Sequence, residues 1–141
     1  MSARVLVADG EASIRQRLFS RLLDADVYSD CVANGVDALR KLDESLYGVV
    51  VLDIALPGVD IVQILRRIAA IPDSARPVVL VLAANPEAAR TLEVEVIQIV
   101  LRKPVDLRQL TELVRSCLRT LTARRGDVPP GPAPADQPTT T

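Results

Sequence analysis

The sequence predicts an α/β fold, a parallel sheet with helices on both faces, and three observations carry that expectation. Five short aliphatic runs alternate with five segments of helical periodicity. The clearest runs, Val5-Leu6-Val7-Ala8 and Val49-Val50-Val51-Leu52, are apolar throughout rather than alternating, the pattern of strands covered on both sides. Charged residues stand at the ends of three runs: Asp9 after the first, Asp53 after the third and Lys103 after the fifth. Strand and helix in strict alternation imply right-handed crossovers. Burying a carboxylate is costly unless it is paired, so an acid belongs at a strand end, and the carboxyl ends of parallel strands are where ligands bind.

The elements follow in order. Arg4 to Asp9 is the first strand, and Glu11 to about Asp24 a helix with Ile14, Leu18, Leu22 and Phe19 on its inner face. Val27 to Ala33 is a weaker strand ended by the turn pair Asn34-Gly35. Val36 to about Glu44 is a short helix with Leu39 and Leu42 inward. Gly48 to Leu52 is the third strand. Asp60 to Ala70 is a helix with Ile61, Ile64, Leu65 and Ile68 inward, closed by Pro72. Val78 to Leu82 is the fourth strand, followed by a helix from Pro86 to about Glu93 with proline in its first turn. Val96 to Leu101 is the fifth strand, and its density of apolar residues, with Val94 just before it, suggests a buried central strand or else a hydrophobic contact face. Asp106 caps a last helix to about Leu121, with Leu110, Leu113, Val114, Cys117 and Leu118 inward.

Composition narrows the function. The 141 residues suffice for one domain with a real core, expected over residues 1–125. Residues 126–141 hold five of the ten prolines and no large apolar residue except Val128, so they are expected to form a disordered Pro/Thr-rich tail. One Phe and two Tyr leave an aliphatic core. Histidine is absent, which removes His-based nucleophilic catalysis and most zinc sites. Cys31 and Cys117 have neither metal nor disulfide spacing and read as two buried thiols. A net charge of −1 leaves no footprint for nucleic acid. There is no signal-peptide apolar region and no run near the roughly 20 residues of a membrane helix, so a cytoplasmic protein without a membrane partner is expected. Neither a P-loop nor a dinucleotide fingerprint is present, and Ala55 stands where an aspartyl-phosphate hydrolase would want a second acid. The chain is not expected to be an enzyme. Of fifteen arginines and two lysines, one lysine, Lys103, sits at a strand end where a compact point charge suits phosphate.

Three motifs, in this order, resemble the response-regulator receiver domain of two-component signalling. They are Val5-Leu6-Val7-Ala8-Asp9-Gly10-Glu11, Val50-Val51-Leu52-Asp53-Ile54-Ala55-Leu56-Pro57-Gly58-Val59-Asp60, and Lys103-Pro104. The resemblance runs from about Arg4 to Leu118. It implies a flavodoxin-like doubly wound sheet of five parallel strands in the order 2-1-3-4-5, with five helices. It implies that Asp53 accepts a phosphoryl group from a histidine kinase or phosphotransfer protein. It further implies that Asp9, Asp53 and the backbone carbonyl of Ala55 hold Mg²⁺, that Lys103 pairs with the phosphoryl oxygens, and that the Lys103-Pro104 bond is cis. Mg²⁺ wants carboxylates, carbonyls and water, and phosphoryl transfer wants neutralised charge, so the residue types suit these roles.

Three departures from the family pattern stand beside the matches. Gly10 replaces the second acid of the metal-binding pair, so Mg²⁺ is expected to bind weakly, with Glu11 the remaining candidate ligand. Leu82, or Ala83 if the register slips, stands where the family has Ser or Thr. Val100 replaces a switch aromatic. Two readings follow. One is a stand-alone receiver in a phosphorelay, signalling through a downstream protein partner, with a homodimer through the face of the fourth helix, fifth strand and last helix as one form of output. The other is an atypical, phosphorylation-independent pseudo-receiver acting as an interaction module.

Overall fold

A computed structural model describes residues 4–92 and 95–124. Strands β1 (Val5–Ala8), β2 (Ser29–Val32), β3 (Val49–Asp53), β4 (Val78–Ala83) and β5 (Ile97–Arg102) alternate with helices α1 (Ala12–Asp24), α2 (Gly35–Glu44), α3 (Ile61–Ala69), α4 (Pro86–Arg90) and α5 (Leu107–Arg124), and a 3-10 turn (Asp73–Ala75) follows α3. The strands form one parallel sheet in the order β2-β1-β3-β4-β5. This is the flavodoxin-like arrangement expected from the sequence. Glu93, Val94 and the 126–141 segment, for which expectations were given above, lie outside the described residues.

The period-two alternation of the strands divides the core in two. Leu6, Val50, Leu52, Val79 and Val81 pack against Ala38 and Leu42 of α2 and Ile61, Ile64, Leu65 and Ile68 of α3. Val5, Val7, Val49, Val51, Leu80 and Leu82 pack against Leu18 and Leu22 of α1 and Leu107, Leu110, Val114 and Leu118 of α5. Both faces of the sheet are thereby covered, which is why β1 and β3 read as unbroken apolar runs.

Helix starts follow local chemistry. The side chains of Asn34, Asp60 and Asn85 accept from the backbone N–H groups of Asp37, Val62 and Glu87, and Asp106 accepts from those of Arg108 and Gln109. Asn34 is thus a helix cap rather than a turn residue, and α2 begins at Gly35. A Cβ on Gly35 would meet Val59 Cγ2 at 2.3 Å, so the loop after β3 can dock there only against glycine. In that loop Gly58 has φ +105°, open to glycine and strained for other residues.

Three expectations are corrected. Phe19 does not share the buried stripe of α1. It is 40% exposed, while Leu18 and Leu22 one helical face away pack against the sheet and α5. The cysteines are half-buried rather than buried, and burial pushes both thiols up. Finally, β5 is an edge strand, not a central one, and Ile97, Ile99, Val100 and Leu101 are only partly covered.

Candidate functional site

Asp9, Asp53 and Lys103 come together at the carboxyl edge of the sheet. Asp9 is one residue past β1, Asp53 ends β3, and Lys103 is one residue past β5. Each continues the alternation that faces α1 and α5, so all three side chains emerge on one side. The Lys103 ammonium Nζ lies 3.2 Å from Asp9 Oδ2, 3.3 Å from Asp53 Oδ2 and 3.1 Å from Glu11 Oε1.

The two aspartates are held alike. Asp9 Oδ1 accepts the backbone N–H of Glu11 at 2.9 Å, and Asp53 Oδ1 accepts that of Ala55 at 3.0 Å. Each acid closes a turn onto the residue two positions on, a local bond natural to aspartate at a strand exit. That bond fixes one carboxylate oxygen and turns the other toward the shared space. Asp9 is fully buried, and the partner of its Oδ2 is the Lys103 ammonium at 3.2 Å.

The electrostatics follow from this crowding. Burial pushes the Asp9 carboxyl up, with the negative Asp53 adding to it; the Glu11 N–H and Lys103 oppose it without prevailing. For Lys103, burial works against the charged form, but the hydrogen bond to Glu11 and the nearby Asp9 and Asp53 outweigh it and hold the ammonium above its usual range.

Gly10 takes no unusual backbone conformation, and a Cβ there would make only ordinary contact, 3.4 Å from Pro57 Cδ. The missing acid is therefore a matter of residue type, not of space. Leu82 is the register partner of Asp53 and is fully buried in the α1/α5 core, and Ala83 ends β4, also buried. Neither offers a hydroxyl. Val100 lies half-buried on the edge strand. The Lys103-Pro104 bond is cis.

Sequence reasoning missed Arg15, whose Nη1 donates to the Asp9 carbonyl oxygen at 2.7 Å. It also missed the bond from Lys103 to Glu11, which joins residues 92 apart. Both lie on or beside the first turn of α1, the element that starts at Ala12 directly behind the β1 acid.

The family model described as "Response regulator receiver domain" matches residues 5–115. The chain belongs to the response-regulator receiver family. Among curated relatives, the transcriptional regulatory protein ResD of Bacillus subtilis (strain 168) is 32% identical over 118 residues, covering 82% of this chain and 48% of ResD. A protein-glutamate methylesterase/protein-glutamine glutaminase of Rhodopseudomonas palustris is 32% identical over 131 residues, covering 82% of this chain and 35% of that protein. The chain spans about half the length of the first of these relatives. Among solved structures, a CheY-like receiver domain protein from Methanospirillum hungatei JF-1 superposes with TM-score 0.77 at 16% identity, covering 88% of this chain and 99% of that one. The response regulator TrrA of Thermotoga maritima, in complex with Mg²⁺-BeF, superposes with TM-score 0.69 at 26% identity, covering 82% and 99%.

The residues of this receiver suit a divalent cation in kind. Among the described residues no group of three or more His, Cys, Asp or Glu side chains is arranged to hold a metal. The two carboxylates, Asp9 and Asp53, share the Lys103 ammonium. Mg²⁺ keeps several waters and commonly takes only one or two protein carboxylates, so these residue types fit it. No helix among the described residues is long and apolar enough to cross a membrane.

Proposed function

We propose that this receiver accepts a phosphoryl group on Asp53 and signals by protein–protein contact. The convergence of Asp9, Asp53 and Lys103 at one ammonium carries the reading. An Asp53 carboxylate oxygen would form the new P–O bond while the bond from phosphorus to the donor breaks, and the leaving group departs with the electron pair and takes up a proton. Lys103, already between the acids, would neutralise phosphoryl oxygens. Asp9, Asp53 and the Ala55 carbonyl would hold Mg²⁺, whose contribution is to offset charge on the transferring group, and with Gly10 in place of an acid that binding would be weak. A histidine kinase or phosphotransfer protein is the donor class, and the proposed role is that of a cytoplasmic module whose output partner is a protein rather than nucleic acid. The overall charge of −1 favours that last point.

A second reading, an interaction module that works without phosphorylation, is favoured by Gly10 and by the aliphatic Leu82 and Ala83 at the end of β4. Incubation with acetyl phosphate and Mg²⁺, followed by intact mass, separates the two. The first reading expects one added phosphoryl group that disappears in Asp53→Asn. An unmodified wild-type mass under conditions that label another receiver would favour the second.

A further inference from the structure

Lys103 makes three ion contacts, to Asp9, Asp53 and Glu11, and the shortest of them is the hydrogen bond to Glu11. Glu11 is the N-cap residue of α1, yet its side chain makes no capping bond and reaches across to the ammonium instead. Its own N–H is tied to Asp9 Oδ1, so the backbone beneath that reach is fixed. The ammonium thus stands between the buried Asp9 Oδ2, 3.2 Å away, and the exposed Glu11 carboxylate, 3.1 Å away.

We propose that Glu11 is a positioning residue for Lys103: it gives the ammonium an outer anion to hold, so that Lys103 can leave the inner oxygen of Asp9 when a divalent cation enters. The inference rests on the reading of Asp9 and Asp53 as the cation-holding pair, and it gives Glu11 a role other than that of a ligand. A cation entering between the aspartates repels Lys103, and the ammonium then needs a second anion to hold it. Glu11 is that anion, and its partial exposure lets it move with the lysine. Partners of this indirect kind commonly change metal affinity by roughly tenfold or more.

The test is Mg²⁺ affinity, measured by calorimetric titration of the metal-free full chain. Asp9→Asn is the control for the underlying reading: it should abolish binding, and unchanged affinity there would remove the reading itself. With that control met, Glu11→Ala should weaken Mg²⁺ roughly tenfold. Glu11→Asp should weaken it nearly as much, because the shorter side chain keeps the charge but not the reach. In a Lys103→Met background, Glu11→Ala should change affinity less than twofold. Should Lys103→Met not fold, the comparison of Glu11→Asp with Glu11→Ala decides alone. Wild-type affinity in Glu11→Asp alongside weak binding in Glu11→Ala would make the effect one of charge only and overturn the proposal. So would a Glu11→Ala loss that persists without Lys103, which would make Glu11 a ligand.

Discussion

The β1/β3 side of the carboxyl rim and the β4/β5 side are built on different terms. On the first, Asp9 and Asp53 are each clamped by a backbone N–H and turned toward one ammonium, with both acids buried. On the second, Leu82 and Ala83 are fully buried aliphatics and Val100 is a half-buried valine on an edge strand. One side holds charge under tension, as sites for chemistry do. The other contributes Lys103 just past β5 and is otherwise aliphatic packing. The difference teaches that, in this receiver, the groups suited to taking a phosphoryl group are assembled separately from any groups that would report it.

The largest effect should come from removing the shared cation. Lys103→Met leaves Asp9 and Asp53 buried without a counter-charge and should destabilise the metal-free domain by about 3 kcal/mol in urea unfolding. A change below about 0.5 kcal/mol would mean that the acids are solvated and the tension does not exist. Next, Gly10→Asp should tighten Mg²⁺ about tenfold, near 1.4 kcal/mol. The position accepts a Cβ, so unchanged affinity would show that water already serves where the acid is missing.

Asp9→Asn should stabilise the metal-free protein at pH 7 by about 1 kcal/mol, the scale of an ordinary substitution but opposite in sign. The pH dependence follows from the raised Asp9 carboxyl. The folded state holds that proton more tightly than the unfolded state, so the stabilisation from protonated Asp9 is complete below the ordinary value of 3.8 and is lost as pH rises through the higher folded value. In Asp9→Asn that loss should vanish. Asp53→Ala should likewise leave the fold intact, and a melting temperature many degrees lower would make the acids structural. The smallest effect is a control away from the rim. Asp26 holds φ 61° after α1, and Asp26→Gly should gain a few tenths to 1 kcal/mol without touching Mg²⁺ affinity.

Much of the fold was legible because β1 and β3 are buried on both faces, and continuous aliphatic runs of strand length have few other uses. The meeting of Asp9, Asp53 and Lys103 was legible because parallel strands deliver their carboxyl ends to one edge. What stayed hidden depended on where neighbours stop. Phe19 lies one position from Leu18, and only the packing against the sheet and α5 decides which stripe is covered. The apolar content of β5 fits a central or an edge strand equally well until its neighbours are known. Arg15 reaches back across the β1–α1 turn to Asp9, and Glu11 reaches Lys103 beyond β5, in directions that spacing does not encode; the half-burial of the cysteines depends in the same way on packing at helix and strand margins.

The proposed phosphoryl site lacks a hydroxyl or aromatic link to the β5 face. A ligand shifts a conformational equilibrium only through contacts that differ between states, and Leu82, Ala83 and Val100 offer no hydroxyl or swinging aromatic to make such contacts. Backbone amide shifts, recorded with and without Mg²⁺ and beryllofluoride, test this most directly. Large changes confined to the residues around Asp9, Asp53 and Lys103 are the predicted result. Changes of similar size spreading over Val100, Leu101 and Leu110, or a monomer becoming a dimer, would contradict it.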